Sequence, residues 1–321
     1  MELNGASVTV LGGSGFLGRY VVSTLAKAGA RVRVGSRFPD RAKPLKTAGQ
    51  VGQILLDHVN IADAQSVARA VAGADAVVNL VGILAQHGRQ RFTTLHAQGA
   101  EQVARAATEA GAKRLVHISA LGVDSAKKSV YARTKLAGEQ AVRAAFPGAT
   151  ILRPGLLFGA EDQSLNRFAQ MASLSPLLPL VGGGKTRFQP VYVGDVAAAV
   201  RAVLEQDNMQ NALLPLVGPA TYSLRDLMLY AATEAGFHPH LVSLPFPIAH
   251  LVGALCEWLP APLLTRDQVT LLRSDNILPA GLENGLEWLG ITPTAMESVA
   301  PHYLARYRPG GAFAAFTQAE A

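Results

Sequence analysis

The sequence predicts an α/β fold, a doubly wound parallel sheet followed by a smaller C-terminal lobe. Three observations predict it. Near the N-terminus a β-branched run, Val8 to Leu11, meets glycines at 12, 15 and 18 and then an apolar helical pattern. Four strand–helix alternations follow with short joints, the order that gives a parallel sheet covered on both faces. Ala76-Val-Val-Asn-Leu-Val81 is a near-continuous apolar run, as a central strand of such a sheet should be. With 321 residues, 49% of them hydrophobic, the chain can bury a sizeable core.

The first strand, turn and helix carry the most chemistry. Gly12 can take backbone angles closed to other residues, Gly15 lets the main chain approach a diphosphate, and Gly18 lets the helix lie tightly on the strand. The helix from about Phe16 to Ala28 points free N–H groups, near Phe16 and Leu17, and its positive end at the same place. An anion belongs there, and on the first strand of an alternating chain this is a Rossmann-type dinucleotide turn. The second strand, Arg31 to Ser36, alternates. In NAD-selecting sites an acid about 20 residues past the glycines binds the ribose 2′-OH. Ser36-Arg37 stands there instead, with Arg41 and Lys43 close behind. A hydroxyl and a guanidinium would bind a 2′-phosphate that a carboxylate repels, so NADP(H) is the expected cofactor. A solvated basic loop would read the same.

The third strand (Gln53 to Leu56) ends at Asp57, a candidate contact for the adenine edge, and a short helix spans about Asp63 to Val71. The fourth strand ends at Val81 and Gly82, where the backbone can pass under a cofactor. A long helix over about Thr94 to Ala110 leads to the fifth strand, Arg114 to Ser119. The helix opened by Val130 places Tyr131 and Lys135 four apart, on one face, after a strand whose carboxyl end carries Ser119.

With the glycine turn, Ser119, Tyr131 and Lys135 in this order, the chain resembles the extended or atypical branch of the short-chain dehydrogenase/reductase superfamily. The likeness continues through Leu152-Arg-Pro154-Gly155 and Pro190-Val-Tyr-Val-Gly-Asp195 and covers roughly residues 5 to 205. A narrower likeness, in Phe158-Gly-Ala-Glu-Asp-Gln-Ser-Leu-Asn-Arg-Phe168 and Gly183-Gly-Lys-Thr-Arg-Phe-Gln-Pro190, is to the nucleotide-binding accessory subunit of respiratory complex I and its bacterial relatives. The superfamily likeness implies Tyr131 as general acid/base, Lys135 as ribose ligand and modulator of the phenol, Ser119 as holder of the substrate oxygen, and Pro154 beside the cofactor. His96 stands where many members carry an asparagine, a departure that bears on their usual proton relay. In the complex I subunit the fold is thought to hold NADPH without turnover.

Other signals are weaker. Lys and Arg exceed Asp and Glu by 29 to 23, and the excess is dispersed outside Arg31, Arg33, Arg37, Arg41 and Lys43. That suits an anionic cofactor or an acidic membrane surface more than nucleic acid. One cysteine, Cys256, leaves no disulfide framework or multi-cysteine metal site, and His238-Pro-His240 lacks further ligands. Gly182-Gly-Gly-Lys-Thr186 lacks the earlier glycine of a phosphate loop, since Pro179 stands there. Asp195 reads as the cap of a helix over 196–204, and Ser223 to Asp226 as a capping-box start. No run of about 20 apolar residues is present. With no secretory leader in view, a cytoplasmic location is expected, or a peripheral one on the inner face of a respiratory membrane.

The expected organisation is an NADP(H)-binding domain over 1–155 with a return segment near 187–205. A smaller substrate or docking lobe of short helices over 156–310 follows, and then a disordered tail over 311–321. Within that lobe, Pro245 to Leu259 reads either as a core helix over a substrate cleft or as an apolar lid or membrane-facing surface. Two functions are in view: an oxidoreductase on a hydrophobic carbonyl or quinone-like substrate, and a cofactor-holding subunit or redox sensor.

Overall fold

The computed structural model of the chain describes residues 1–311 apart from 89, 260, 261 and 263. The tail expected over 311–321 therefore lies, beyond Gly311, outside the described residues. The chain divides into two compact units. One comprises Met1–Pro154, Gly194–Leu216 and Leu282–Thr292; the other comprises Gly155–Val193, Val217–Gly281 and the residues from Pro293.

The first unit is built on a seven-stranded sheet. Its strands are β1 (Ser7–Leu11), β2 (Arg31–Ser36), β3 (Ile54–His58), β4 (Ala76–Asn79), β5 (Arg114–Ile118), β6 (Thr150–Pro154) and the strand Leu213–Leu216. The order across the sheet is Leu213–Leu216, β6, β5, β4, β1, β2, β3, and every pairing is parallel. Parallel pairing sends all carboxyl ends to one edge, and the order reverses between β4 and β1, where doubly wound sheets form a ligand crevice. Val8, Val10, Val32, Val34, Val77 and Val78 are buried, as strands covered on both faces require.

Helix α1 (Phe16–Lys27) follows the glycine turn, α2 (Ala64–Val71) follows β3, and α3 (Gly99–Glu109) follows β4. Asp63 caps α2 by accepting the N–H groups of Gln65 and Ser66. The long helix expected over 94–110 is in fact two pieces, because Thr93–Gln98 is a π-helical turn running into α3. The reason lies in a neighbour. Helix α4 (Val130–Ala145) presses on that turn so closely that a Cβ at Gly138 would sit 2.0 Å from the His96 carbonyl oxygen. A π-turn of this kind is common beside functional sites.

Behind β6, Arg153 donates to both carboxylate oxygens of Glu139 on α4 (2.9 and 2.8 Å) and to Asp124 (2.8 Å). Glu139 is buried, so this fork ties α4 and the loop after β5 to the sheet. The strand Leu213–Leu216 was not expected within a lobe of short helices. It contains Pro215, which a central strand excludes but the sheet edge, where it lies, accepts.

The second unit packs helix α5 (Leu165–Leu174) and α7 (Leu224–Glu234) around Phe158, Ala169, Leu227, Ala231 and Leu304. Buried Asp162 accepts N–H groups from Gly159, Ser164 and Asn166 and the Tyr303 hydroxyl (2.6 Å). Ser223 and Asp226 form the expected capping box on α7. Asp195, which belongs to the first unit, is a correction: it sits in the first turn of α6 (Val193–Glu205) and not before it. A strand over Leu177–Val181 pairs in parallel with one over His240–Leu244, a pair the periodicity did not signal. The chain is still anchored at Arg308, which donates to the Glu234 carbonyl (2.8 Å).

Helix α8 (Phe246–Cys256) is not a core helix. It buries Ala249 and Gly253, the latter tightly against the backbone of Arg266, while its Leu251 and Leu255, and Trp258 in the turn after it, are 64%, 66% and 90% exposed. Among the described residues no helix is long and apolar enough to cross a membrane.

Candidate functional site

The residues singled out in the sequence collect at the carboxyl edge of the sheet. Gly12 follows β1 with a φ of +81°, and its N–H donates to Gly35 O (2.9 Å). A Cβ on Gly12 would lie 3.3 Å from the backbone of Leu80 and Val81, and one on Gly18 would collide with Gly12 O at 2.4 Å. Gly15 is the N-cap of α1 and has no side chain with which to fill the space over the helix end. Phe16 and Leu17 open the helix. Their exposed-end N–H groups, with the helix dipole, make a cradle that an added side chain would obstruct.

At the end of β2, the Ser36 hydroxyl lies 2.7 Å from that of Ser14 and accepts the Phe38 N–H (3.2 Å). Arg37 and Arg41 place their guanidinium groups 5.8 and 4.9 Å from the exposed Phe38 ring. Two cations are thus held on one aromatic ring beside a half-buried hydroxyl pair. Ser14 and Phe38 were not anticipated. Asp57 lies on β3 opposite Gly35, in register with β2.

Past β4, Val81 and Gly82 turn over the sheet edge. The Asn79 side chain fixes this turn: its Oδ1 accepts the Val81 N–H (3.1 Å) and its amide faces His117 Nδ1 at 3.2 Å. His117 is buried, its Nε2 has no partner among the described residues, and burial holds its pKa well below the usual value. Gly82 faces the catalytic candidates directly, since a Cβ there would be 3.5 Å from Lys135 Nζ and 3.9 Å from His96 Nε2.

Helix α4 supplies Tyr131 and Lys135 from one face. Lys135 is buried, and one of its three hydrogens goes to Ile118 O (2.8 Å) at the end of β5. Burial pushes its pKa down to about 8, against the opposing pull of Glu139. The Tyr131 ring meets the His96 ring edge-on (5.3 Å, 88°) and Phe92 likewise (5.8 Å, 80°). The Ser119 N–H donates to Leu152 O (2.8 Å), and the buried Ser119 Oγ has no partner among the described residues. A buried hydroxyl without a partner implies a ligand atom or a water in that position. Pro154 ends β6 and accepts the Leu121 N–H (2.9 Å), holding the loop that follows Ser119.

A dinucleotide fits this arrangement on the chain's own features: a glycine turn packed too tightly for side chains at 12 and 18, a helix N-terminus beside it, an orphaned Ser119 hydroxyl, and a buried ammonium bonded to the residue before that serine. Among the described residues no group of three or more His, Cys, Asp or Glu is placed to hold a metal ion.

Comparison with known proteins bears on the family and the fold. The model of the NAD dependent epimerase/dehydratase family matches residues 8–213. The mitochondrial NADH dehydrogenase (ubiquinone) 1 alpha subcomplex subunit 9 of Arabidopsis thaliana is 35% identical over 324 residues, 97% of this chain and 80% of the relative. A ceramide reductase of Caulobacter vibrioides is 32% identical over 250 residues, 78% of this chain and 77% of that one. The crystal structure of the Escherichia coli NADPH-dependent quinone oxidoreductase QOR2 complexed with NADPH shares the fold. It has a TM-score of 0.71 and 19% identity, and the match covers 92% of this chain and 99% of that chain. The chain thus belongs to the NAD dependent epimerase/dehydratase family, with the extended short-chain dehydrogenase/reductase fold and with complex I subunits and bacterial reductases among its relatives.

Proposed function

We propose that the chain is an NADP(H)-dependent oxidoreductase acting on a hydrophobic carbonyl or quinone-like substrate. The observation that carries this reading is the buried, unpartnered Ser119 Oγ at the end of β5, in the same unit as Tyr131 and Lys135. In this reading Gly12, Gly15, Phe16, Leu17 and Gly18 hold the diphosphate. Ser36 and Arg37, helped by Arg41, take the 2′-phosphate, and Asp57 meets the adenine. Val81, Gly82, Lys135 and Pro154 form the nicotinamide-ribose side. When bound, the dinucleotide supplies or accepts the hydride. Lys135, with a pKa near 8, keeps its charge at neutral pH and draws the neighbouring phenol toward the phenolate. Tyr131 then exchanges a proton with the substrate oxygen, while the Ser119 hydroxyl donates to that same oxygen. The second unit carries the substrate-binding or docking role.

The test is NADPH consumption by the purified protein with short-chain quinones and long-chain ketones. Tyr131→Phe should lower turnover by about 10²–10⁴-fold and leave NADPH affinity unchanged, because the phenol acts in the transition state. No consumption with either substrate class, or full turnover in Tyr131→Phe, would contradict the assignment.

A second reading, a subunit that holds its dinucleotide while docked peripherally on a respiratory membrane complex, is favoured by two observations. The Arabidopsis relative, named as a complex I subunit, matches across 97% of the chain. Helix α8 and the turn after it also present Leu251, Leu255 and Trp258 outward, an apolar surface that a free cytoplasmic reductase does not need.

A further inference from the structure

His96 occupies the place of a relay asparagine, yet its hydrogen bonds run in a direction that forbids a relay. Nε2 accepts the Ile83 N–H at 3.1 Å. A nitrogen that accepts cannot carry a hydrogen, so the ring proton is on Nδ1, which faces Thr134 Oγ1 at 3.2 Å. The Thr134 hydroxyl in turn has the carbonyls of Val130 (2.9 Å) and Tyr131 (3.0 Å) to donate to. The sequence of donations is therefore Ile83 N–H to His96, His96 to Thr134, and Thr134 to the first turn of α4. Both ring nitrogens are occupied by the protein. A second ring proton would point at the Ile83 N–H, donor against donor.

The surroundings enforce the same state. The ring is buried, stacked on Phe92 (5.2 Å, 23°) and met edge-on by Tyr131 (5.3 Å). The cation that faces it is Lys135 of α4, and burial and that charge push the imidazole pKa down to about 3. Its backbone is fixed as well, because the His96 carbonyl lies against Gly138 at a spacing that excludes any side chain there.

We propose that His96 is the positioning residue of this site. It is a permanently neutral Nδ1–H imidazole that latches the Gly82–Ile83 turn to helix α4 and sets the Tyr131 ring. The latch holds Gly82 against Lys135 Nζ, so it governs dinucleotide binding, and any proton that resupplies Tyr131 bypasses residue 96. The proposal rests on the dinucleotide-site reading above and is independent of turnover.

Two measurements test it. In protein with ¹⁵N-labelled histidine, the resonances of one ring should show a protonated Nδ1 and an unprotonated, hydrogen-bonded Nε2. That pattern should hold from about pH 5 to 8, where an ordinary imidazole titrates. These resonances should be the ones lost in His96→Gln. NADPH affinity then separates the two bonds. Glutamine can place Oε1 near the Nε2 position and keep the Ile83 contact, whereas asparagine reaches only the Nδ1 position and leucine neither. His96→Gln should bind NADPH within about threefold of wild type, and His96→Asn and His96→Leu about tenfold or more weaker, the loss expected when a buried N–H goes unpaired. The proposal is overturned if the ring titrates in that range, if Nε2 carries the proton, or if Gln binds no better than Leu. It is overturned equally if all three variants bind like wild type. If the tautomer and the Gln rescue hold while no substrate is ever turned over, the latch stands and the oxidoreductase reading falls.

Discussion

Lys135 should be a residue the fold would be more stable without. It is buried, and burial lowers its pKa from 10.5 to about 8. That fall corresponds to a penalty on the folded state of about 3 kcal/mol. Lys135→Met removes the charge and keeps the volume, but leaves Ile118 O without its hydrogen bond, a loss of about 1 kcal/mol. The variant should therefore be more stable than wild type by about 2 kcal/mol at pH 7, while NADPH binding is lost. The sign with pH follows from proton counting. Between about pH 8 and 10.5 the unfolded chain holds a proton at this lysine that the folded chain has released, so wild-type stability rises through that window. Below it the penalty is constant. Urea unfolding of both proteins at matched pH isolates the effect, since other titrations cancel in the difference. The advantage of the variant should be full at pH 7 and shrink steadily toward pH 10.5. A variant less stable than wild type at pH 7, or an advantage that ignores pH, would show that Lys135 carries no such burial penalty.

Two further outcomes are expected. Arg153→Met strips the partners from the buried Glu139 carboxylate and should destabilise the first unit by about 3–5 kcal/mol, with most of the loss recovered when Glu139→Leu is added; urea unfolding that finds the single variant unchanged would dismiss the clamp. Leu251→Asp combined with Trp258→Asp should leave folding and NADPH binding intact, because both side chains are exposed. If α8 is a docking surface, that variant leaves a membrane fraction which the native protein still follows in high salt, because a packed apolar contact is not screened.

What was legible in the sequence was what is local. Glycine at 12, 15 and 18, and tyrosine and lysine four apart, are spacings on single elements, and backbone geometry turns them into a cradle and a helix face. The fold class was legible for the same reason, since each strand–helix alternation announces itself by period. What could not be read depended on partners distant in sequence. The π-turn over Thr93–Gln98 is shaped by Gly138 on another helix, so a periodic pattern over 94–110 looked like one uninterrupted helix. Leu213–Leu216 carries a proline that argues against a strand until its edge position is known. Helix α8 is apolar nearly all round, and composition cannot say whether such a helix is enclosed or, as here, left facing outward. His96 was visible as a substitution, but its tautomer is set by Ile83 and Thr134, thirteen residues before it and thirty-eight after it.

The proposed preference for NADP(H) rests on Ser36 and Arg37 at the carboxyl edge of the sheet. Calorimetric titration of NADPH and of NADH into the wild type and into Arg37→Ala tests it most directly. Wild type should bind NADPH at least about tenfold more tightly than NADH, the worth of one charge-assisted phosphate contact. Arg37→Ala should erase most of that difference and leave NADH affinity where it was. Equal affinities for the two nucleotides in the wild type, or a preference for NADH, would contradict a 2′-phosphate site at Ser36 and Arg37.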